Sequence, residues 1–168
     1  MFLTVALIGC APTPETDGPL VGPRVEAGMA NVCVPASAGA EAFFGEVLSN
    51  MGSTAITVGN IQSEESDAQS IRYLLDPAGP ALGQVIGASG YPAADPVGDE
   101  NEIFARAEKA DGASIAPGSA ATLLIVVSPA KDAESTDISR VKVSYEADGR
   151  SFQEEILVDY RVANRGSC

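Results

Sequence analysis

The sequence predicts an all-β chain, an antiparallel β-sandwich of seven to eight strands with room for one short helix near 100–109. Three observations carry this. Short β-rich runs recur between turn signals along most of the 168 residues. Ala, Gly, Ser, Thr and Val dominate, aromatics make up only 5% and tryptophan is absent, a composition suited to thin strands rather than a helix bundle. With 45% hydrophobic residues, a chain of this length can bury one core without metal or dense disulfides, so a single domain is expected.

The chain opens on an apolar run, Met1 to Ile8, closed by Gly9-Cys10 and then by Ala11-Pro12-Thr13-Pro14, which does not continue a helix easily. The run is about half the roughly 20 apolar residues that span hydrocarbon, so it reads as a signal-peptide h-region. No transmembrane helix is predicted. Leu7-Ile8-Gly9-Cys10 resembles a bacterial lipobox. The resemblance implies a signal peptide over 1–9 removed before Cys10, a diacylglycerol on the Cys10 sulfur, and a lipid-anchored place in the cell envelope. The n-region departs from that pattern, since no Lys or Arg precedes Leu3. Residues 10–28 then comprise the lipidated cysteine and a tether. Its sequence APTPETDGPLVGPRVEAG has four prolines, three glycines and no apolar period, and a flexible chain of that length spans roughly 20–25 Å.

The sandwich is assigned to 29–168. Val32 and Val34 flank Cys33 in a first strand. Phe43, Phe44, Val47 and Leu48 form the next, ahead of a turn at Ser49-Asn50-Met51-Gly52-Ser53, and Ile56, Val58 and Ile61 follow it. Ile71, Tyr73 and Leu75 make another strand before Asp76-Pro77. Gln84-Val85-Ile86-Gly87 fits a short strand. Asp99-Glu100-Asn101-Glu102 has capping-box spacing before Ile103, Phe104 and Ala107, which fits a helix, although a strand fits the same stretch. Ala121 to Val127 is too apolar to face water on either side and should be a central strand. Val141, Val143 and Tyr145 alternate with polar residues, and Phe152, Ile156, Val158, Tyr160 and Val162 return the chain as a hairpin around Asp148-Gly149. Its loop, Ala147 to Ser151, reads as longer than two residues.

Lipidation of Cys10 would leave Cys33 and Cys168 as an even pair. A bridge between them would tie the carboxyl tail to the first strand around 134 intervening residues, and an exported context permits it. A buried Cys33 with a free terminal thiol is the alternative.

Phe44 to Val58, with its strand, Asn-x-Gly-Ser turn and strand, resembles the ASH (Hydin-like) immunoglobulin-like domains, a pattern also found in bacterial choice-of-anchor surface proteins. Ile115-Ala116-Pro117-Gly118-Ser119 leading into a long strand that ends at Ser128-Pro129 resembles the same family. The likeness covers about 29–163, and the stretch 77–113 departs from it. It implies an immunoglobulin-like sandwich with a structural or interaction role, and it carries over no chemistry. Without a Cys-Trp-Cys core, an antibody-type domain is excluded.

The chain has no histidine, which removes Ser-His-Asp and Cys-His catalysis and imidazole metal ligation together. No phosphate-cradling loop, nucleophile elbow or Cys-x-x-Cys occurs. The net charge of −13 argues against nucleic acid. An enzyme is not expected, and no cofactor. The expected role is non-catalytic binding of a protein or other envelope component, with membrane contact through the lipid. One rival is a calcium-dependent or glycan-binding sandwich using residues 95–111, whose oxygen-ligand candidates are Asp95, Asp99, Glu100 and Glu102. Another is a hydrolase built on two of the same carboxylates. Tyr73 and Tyr91 are candidates for a contact patch.

Overall fold

Side-chain alternation decides which way each strand faces, and here it builds two packed sheets. The computed structural model describes residues 13–23, 30–36, 40–79, 88–91, 100–130, 132–164 and 168. Their elements, in chain order, are β1 (Leu20–Val21), β2 (Ala30–Pro35), β3 (Glu41–Asn50), β4 (Ile56–Ser66), β5 (Ser70–Asp76), β6 (Ala88–Tyr91), α1 (Glu100–Arg106), β7 (Glu108–Lys109), β8 (Ser114–Ile115), β9 (Ala120–Ser128), β10 (Ser135–Ala147), β11 (Arg150–Ile156) and β12 (Val158–Ala163). One sheet runs β1-β3-β9-β5-β7, with β6 also on β3; the other runs β2-β12-β10-β4-β8, with β11 also on β10.

The core lies between them. Phe44, Leu48, Leu123, Ile125 and Val127 of the first sheet meet Val58, Val141, Val143, Tyr145, Tyr160 and Val162 of the second. Eight strands have six residues or more, which matches the expected number. β1, β7 and β8 are two-residue pairings at sheet edges, too short to leave a periodic signature. The sandwich is not wholly antiparallel, because β2 runs parallel to β12, from Val158 opposite Ala30 to Ala163 opposite Pro35. The proposed strand at Gln84–Gly87 lies outside the described residues.

β9 is the central strand that its sequence predicts, between β3 and β5. Both faces are covered, for different reasons. Leu123, Ile125 and Val127 enter the main core, while Leu124 and Val126 on the opposite face join Phe43 and Ile103 in a second apolar cluster under α1. Phe104 reaches from the same helix to Phe43, ring to ring at 4.8 Å and edge-on. Arg106 in the last turn fixes the helix, because its Nε and Nη2 donate to the carboxylate of Asp76, which is fully buried at the end of β5. Among the described residues, removing the guanidinium would leave that carboxylate with the Ala78 N–H as its one hydrogen-bond partner. Arg106→Ala is therefore expected to cost about 2 kcal/mol in urea unfolding, below the 3–5 of a fully buried pair because Arg106 is 39% exposed.

Two expectations are corrected. The β10–β11 hairpin has a two-residue loop, since Ala147 pairs directly with Arg150. Asp148 and Gly149 take φ of 51° and 71°, the left-handed pair that matches the twist of the flanking strands. The tether shrinks too, for residues 13–23 belong to the sandwich. Glu15 bridges to Phe152 in parallel, and Leu20 and Val21 pair with Asn50 and Ser49. Leu20 is fully buried, its N–H donating to the Tyr145 hydroxyl at 3.2 Å, and the Gly22 N–H donates to Glu154 Oε1 at 3.0 Å. Gly18 makes this approach feasible, because a Cβ there would stand 1.9 Å from the Tyr145 hydroxyl oxygen. Three prolines and a lack of period hide a segment whose order comes from contacts distant in sequence.

Candidate functional site

Of the residues singled out by sequence, Cys10, Asp95 and Asp99 lie outside the described residues. Cys33 and Cys168 form a disulfide with Cα atoms 5.6 Å apart. Cys33 sits on the second strand in chain order, since β1 precedes it. Glu100 opens α1. Glu102 lies one turn before Arg106, 73% exposed, with its Oε2 3.3 Å from Arg106 Nη1. Among the described residues no three acids or cysteines gather as ligands for a metal ion. What the structure shows of the 100–107 segment is the helix packed over β9.

Tyr73 faces inward from β5, against the core, and burial pushes its hydroxyl up from the usual range. It also lines a lateral groove of about 410 Å³ with Asn60, Ile61, Ile71 and Lys109, between the edges of β4 and β5. Tyr91 lies on β6, opposite Glu41. The two tyrosines therefore belong to different strands of one sheet, separated by β3 and β9.

A second depression, also of about 410 Å³, lies on the outer face of the other sheet, lined by Asn31, Asp67, Asp137, Ser139, Asp159 and Arg161 among others. Strand register explains the grouping, because Asn31 is opposite Asp159, and Arg161 opposite both Cys33 and Asp137. Most of its charge is already matched. Arg161 donates to both oxygens of Asp137, at 2.6 and 3.2 Å, and Asp67 Oδ1 accepts the Asp137 N–H at 2.7 Å. Asp159 Oδ1 is buried with no hydrogen-bond partner among the described residues.

One titratable group that the sequence reading passed over points into the sandwich. Glu46 shares the inward phase of β3 with Phe44 and Leu48, and its Oε1 accepts the hydroxyl proton of Tyr160 at 2.7 Å. Burial pushes the Glu46 carboxyl above its usual range, and the Tyr160 hydrogen bond opposes part of that rise. Burial likewise pushes the Tyr160 hydroxyl far up, reinforced by the Glu46 charge. The folded-state value of Glu46 lies above the unfolded one, so ionisation weakens the fold. That penalty is absent below the unfolded value, grows through the interval between the two, and is complete above the folded value. Glu46→Gln keeps an acceptor for Tyr160 and is expected to raise the melting midpoint at pH 7 by about 2 °C or more. The gain should vanish by about pH 3, where the carboxyl is neutral in both states; a gain that is the same at both pH values would show that ionisation is not its source.

No protein-family model matches the chain, and no curated protein matches its sequence. Solved structures with a similar arrangement of strands include an ASH/PapD-like domain of human CEP192, at 9% identity and TM-score 0.44 over 100% of this chain and 99% of that one. The VesB protease of Vibrio cholerae gives 9% identity and TM-score 0.40 over 87% of this chain, and a family 123 glycoside hydrolase from Clostridium perfringens gives 11% and 0.40 over 83%. This chain spans about a third of the protease and a quarter of the hydrolase. The two packed sheets make the chain a two-layer β-sandwich.

Proposed function

We propose that the chain is a non-catalytic binding module of a bacterial cell envelope, held at a membrane by lipid on Cys10. The observation that supports this best is the Cys33–Cys168 disulfide, which leaves Cys10 as the one cysteine outside the bridge. Structural disulfides persist in exported compartments, where a lipobox cysteine is processed. The order of the amino-terminal segment fits as well. Glu15 is already bonded into the sandwich, and Cys10 comes five positions before it in the sequence, which suits a lipid attached outside the core. The absence of histidine and the prior pairing of Asp76, Glu102 and Asp137 with arginines favour contact over catalysis.

Peptide mass spectrometry on protein from its own host tests the reading directly. The expected amino terminus is Cys10 carrying a diacylglycerol, with residues 1–9 gone. Cys10→Ser should move the protein from the membrane to the soluble fraction. An intact Met1 with an unmodified thiol, or a serine variant that still sediments with membranes, would overturn it.

A further inference from the structure

We infer that one end of the sandwich, built from the turns 50–55, 77–79 and 116–119, rests on the lipid headgroup surface. The inference rests on the proposal that Cys10 carries lipid. Chain direction supplies the first step. Glu15 runs parallel to β11, its N–H donating to Ser151 O and its carbonyl accepting from the Gln153 N–H. Since β11 starts at Arg150, just after the Asp148-Gly149 turn, Thr13 and Pro14 lie on the side of Glu15 toward that turn. The hairpin turn is at the same end as the others. Glu146 near its base pairs with Thr57 at the start of β4, Ile56 pairs with Ile115, Leu20 with Asn50, and Asp76 with Thr122.

Distance then decides which end can meet the bilayer. From Thr13 back to Cys10 is three residues, at most about 10 Å of chain. The thirteen residues of β10 run roughly 40 Å along the sandwich. A lipid on Cys10 therefore reaches headgroups beside the near end, and cannot bring the far end to them without tipping the domain over.

The turns that tip the near end are also free of charge. In a chain with 20% charged residues and a net charge of −13, the three turns carry no charged side chain. They present Met51, 73% exposed, whose N–H donates to Pro19 O and so fixes its turn on the amino-terminal segment. A thioether side chain at the tip of an uncharged turn can enter the interfacial layer without desolvating an ion. Around these tips the charges are Glu15, paired with Arg150, Arg106, paired with Asp76, and the exposed Asp17, Glu108, Glu146 and Asp148, all set back from the turns on the strands, the amino-terminal segment or the hairpin. The far end carries Asp67, Asp132 and Glu134 exposed in its own connecting segments, beside the Asp137–Arg161 pair, and anionic headgroups would repel those three acids. The occupant of the near end is thus a lipid surface, and the acidic end faces away from it.

The test supplies the lipid chemically, so that it is independent of whether the host acylates the protein; the mass spectrometry above answers that separately. Isotope-labelled full-length chain, with Cys10 coupled to a maleimide phospholipid, is bound to phosphatidylcholine nanodiscs carrying spin-labelled headgroups. Amide signals from Asn50–Ala55, Gly118–Ser119 and Gly149 should lose most of their intensity relative to unlabelled discs, while those of Asp67, Asp132 and Asp137 keep theirs. Met51→Asp should weaken the loss at the near end while leaving the melting midpoint in place, because the side chain is exposed. Even attenuation over the domain, or attenuation centred on the far end, would overturn the inference.

Discussion

Asn50→Asp is expected to lower stability by about 3 kcal/mol or more at pH 7, a fall of about 6–12 °C in melting midpoint. The side chain is fully buried at the end of β3. Its Nδ2 donates to the carbonyls of Thr54, Ile115 and Ala116, at 2.8, 3.1 and 3.2 Å, and its Oδ1 accepts the Gly52 N–H at 2.9 Å. The backbone adds a further link, as the Asn50 N–H donates to Ser119 O at 2.8 Å. One amide thus joins the turn after β3 in one sheet to the turn after β8 in the other. Aspartate keeps the shape and replaces the donor with an oxygen facing three carbonyl oxygens. Acid should restore part of the loss, because a protonated carboxyl regains a donor; the variant's folded-state value would lie above its unfolded one, so stability recovers as pH falls between them. Asn50→Ala, which removes the group without adding charge, should lose about 2 kcal/mol. Chemical unfolding of both variants at pH 7 and pH 4.5 checks the argument. If the alanine variant unfolds with the wild type, the amide is not what holds the two turns together.

The same residue shows how much a sequence discloses. The Asn-x-Gly-Ser turn is visible as a turn, and its partner Pro-Gly-Ser turn as another, but nothing in either string shows that one side chain closes both. Strands of seven residues or more declare themselves by alternation, as in Val141-Val143-Tyr145, or by unbroken apolarity, as in Leu123–Val127. The unbroken run has a cause that only the fold reveals, a helix lying across the outer face of β9. β1 is invisible for the opposite reason. Two residues among prolines and glycines have no period, and their burial follows from Tyr145, Asn50 and Glu154, which lie between 30 and 132 positions away.

The chemistry was legible to a different depth at each position. Cysteine arithmetic selects Cys33 and Cys168 because three cysteines minus one lipobox cysteine leave two. The Arg106–Asp76 pair spans 30 positions and has no local signature. Glu46 was within reach, since Phe44 and Leu48 fix the inward phase of β3 and a glutamate between them must share it. A charged residue at an inward position is a stronger signal than the clustered acids at 95–102, because burial perturbs it whatever its neighbours.

Loss of the Cys33–Cys168 bridge is the other change expected to be large. Cross-linking residues 135 positions apart removes chain entropy from the unfolded ensemble, about 5 kcal/mol in the loop-closure model and an upper bound in practice. The native side of the balance points the same way. Among the described residues β2 pairs in its sheet with β12 alone, and the bridge is a second attachment for it. The effect on the two ends of the sandwich should differ. Cys33 lies opposite Arg161, toward the end where Ala163 pairs with Ser135 and Pro35, far from the Asn50 hub. Reduction is therefore expected to lower the midpoint by about 5–15 °C. Hydrogen exchange should quicken first in β2 and the adjoining part of β12, while amides of β9 keep their protection. Cys33→Ser and Cys168→Ser should each match the reduced wild type, and the double variant should add nothing further, because either substitution already abolishes the cross-link. A reduced protein that melts within about 2 °C of the oxidised one would mean that the parallel ladder holds β2 unaided. Uniform quickening across both sheets would instead mean that β2 is a part of the global cooperative unit, and that the bridge acts only on the unfolded chain.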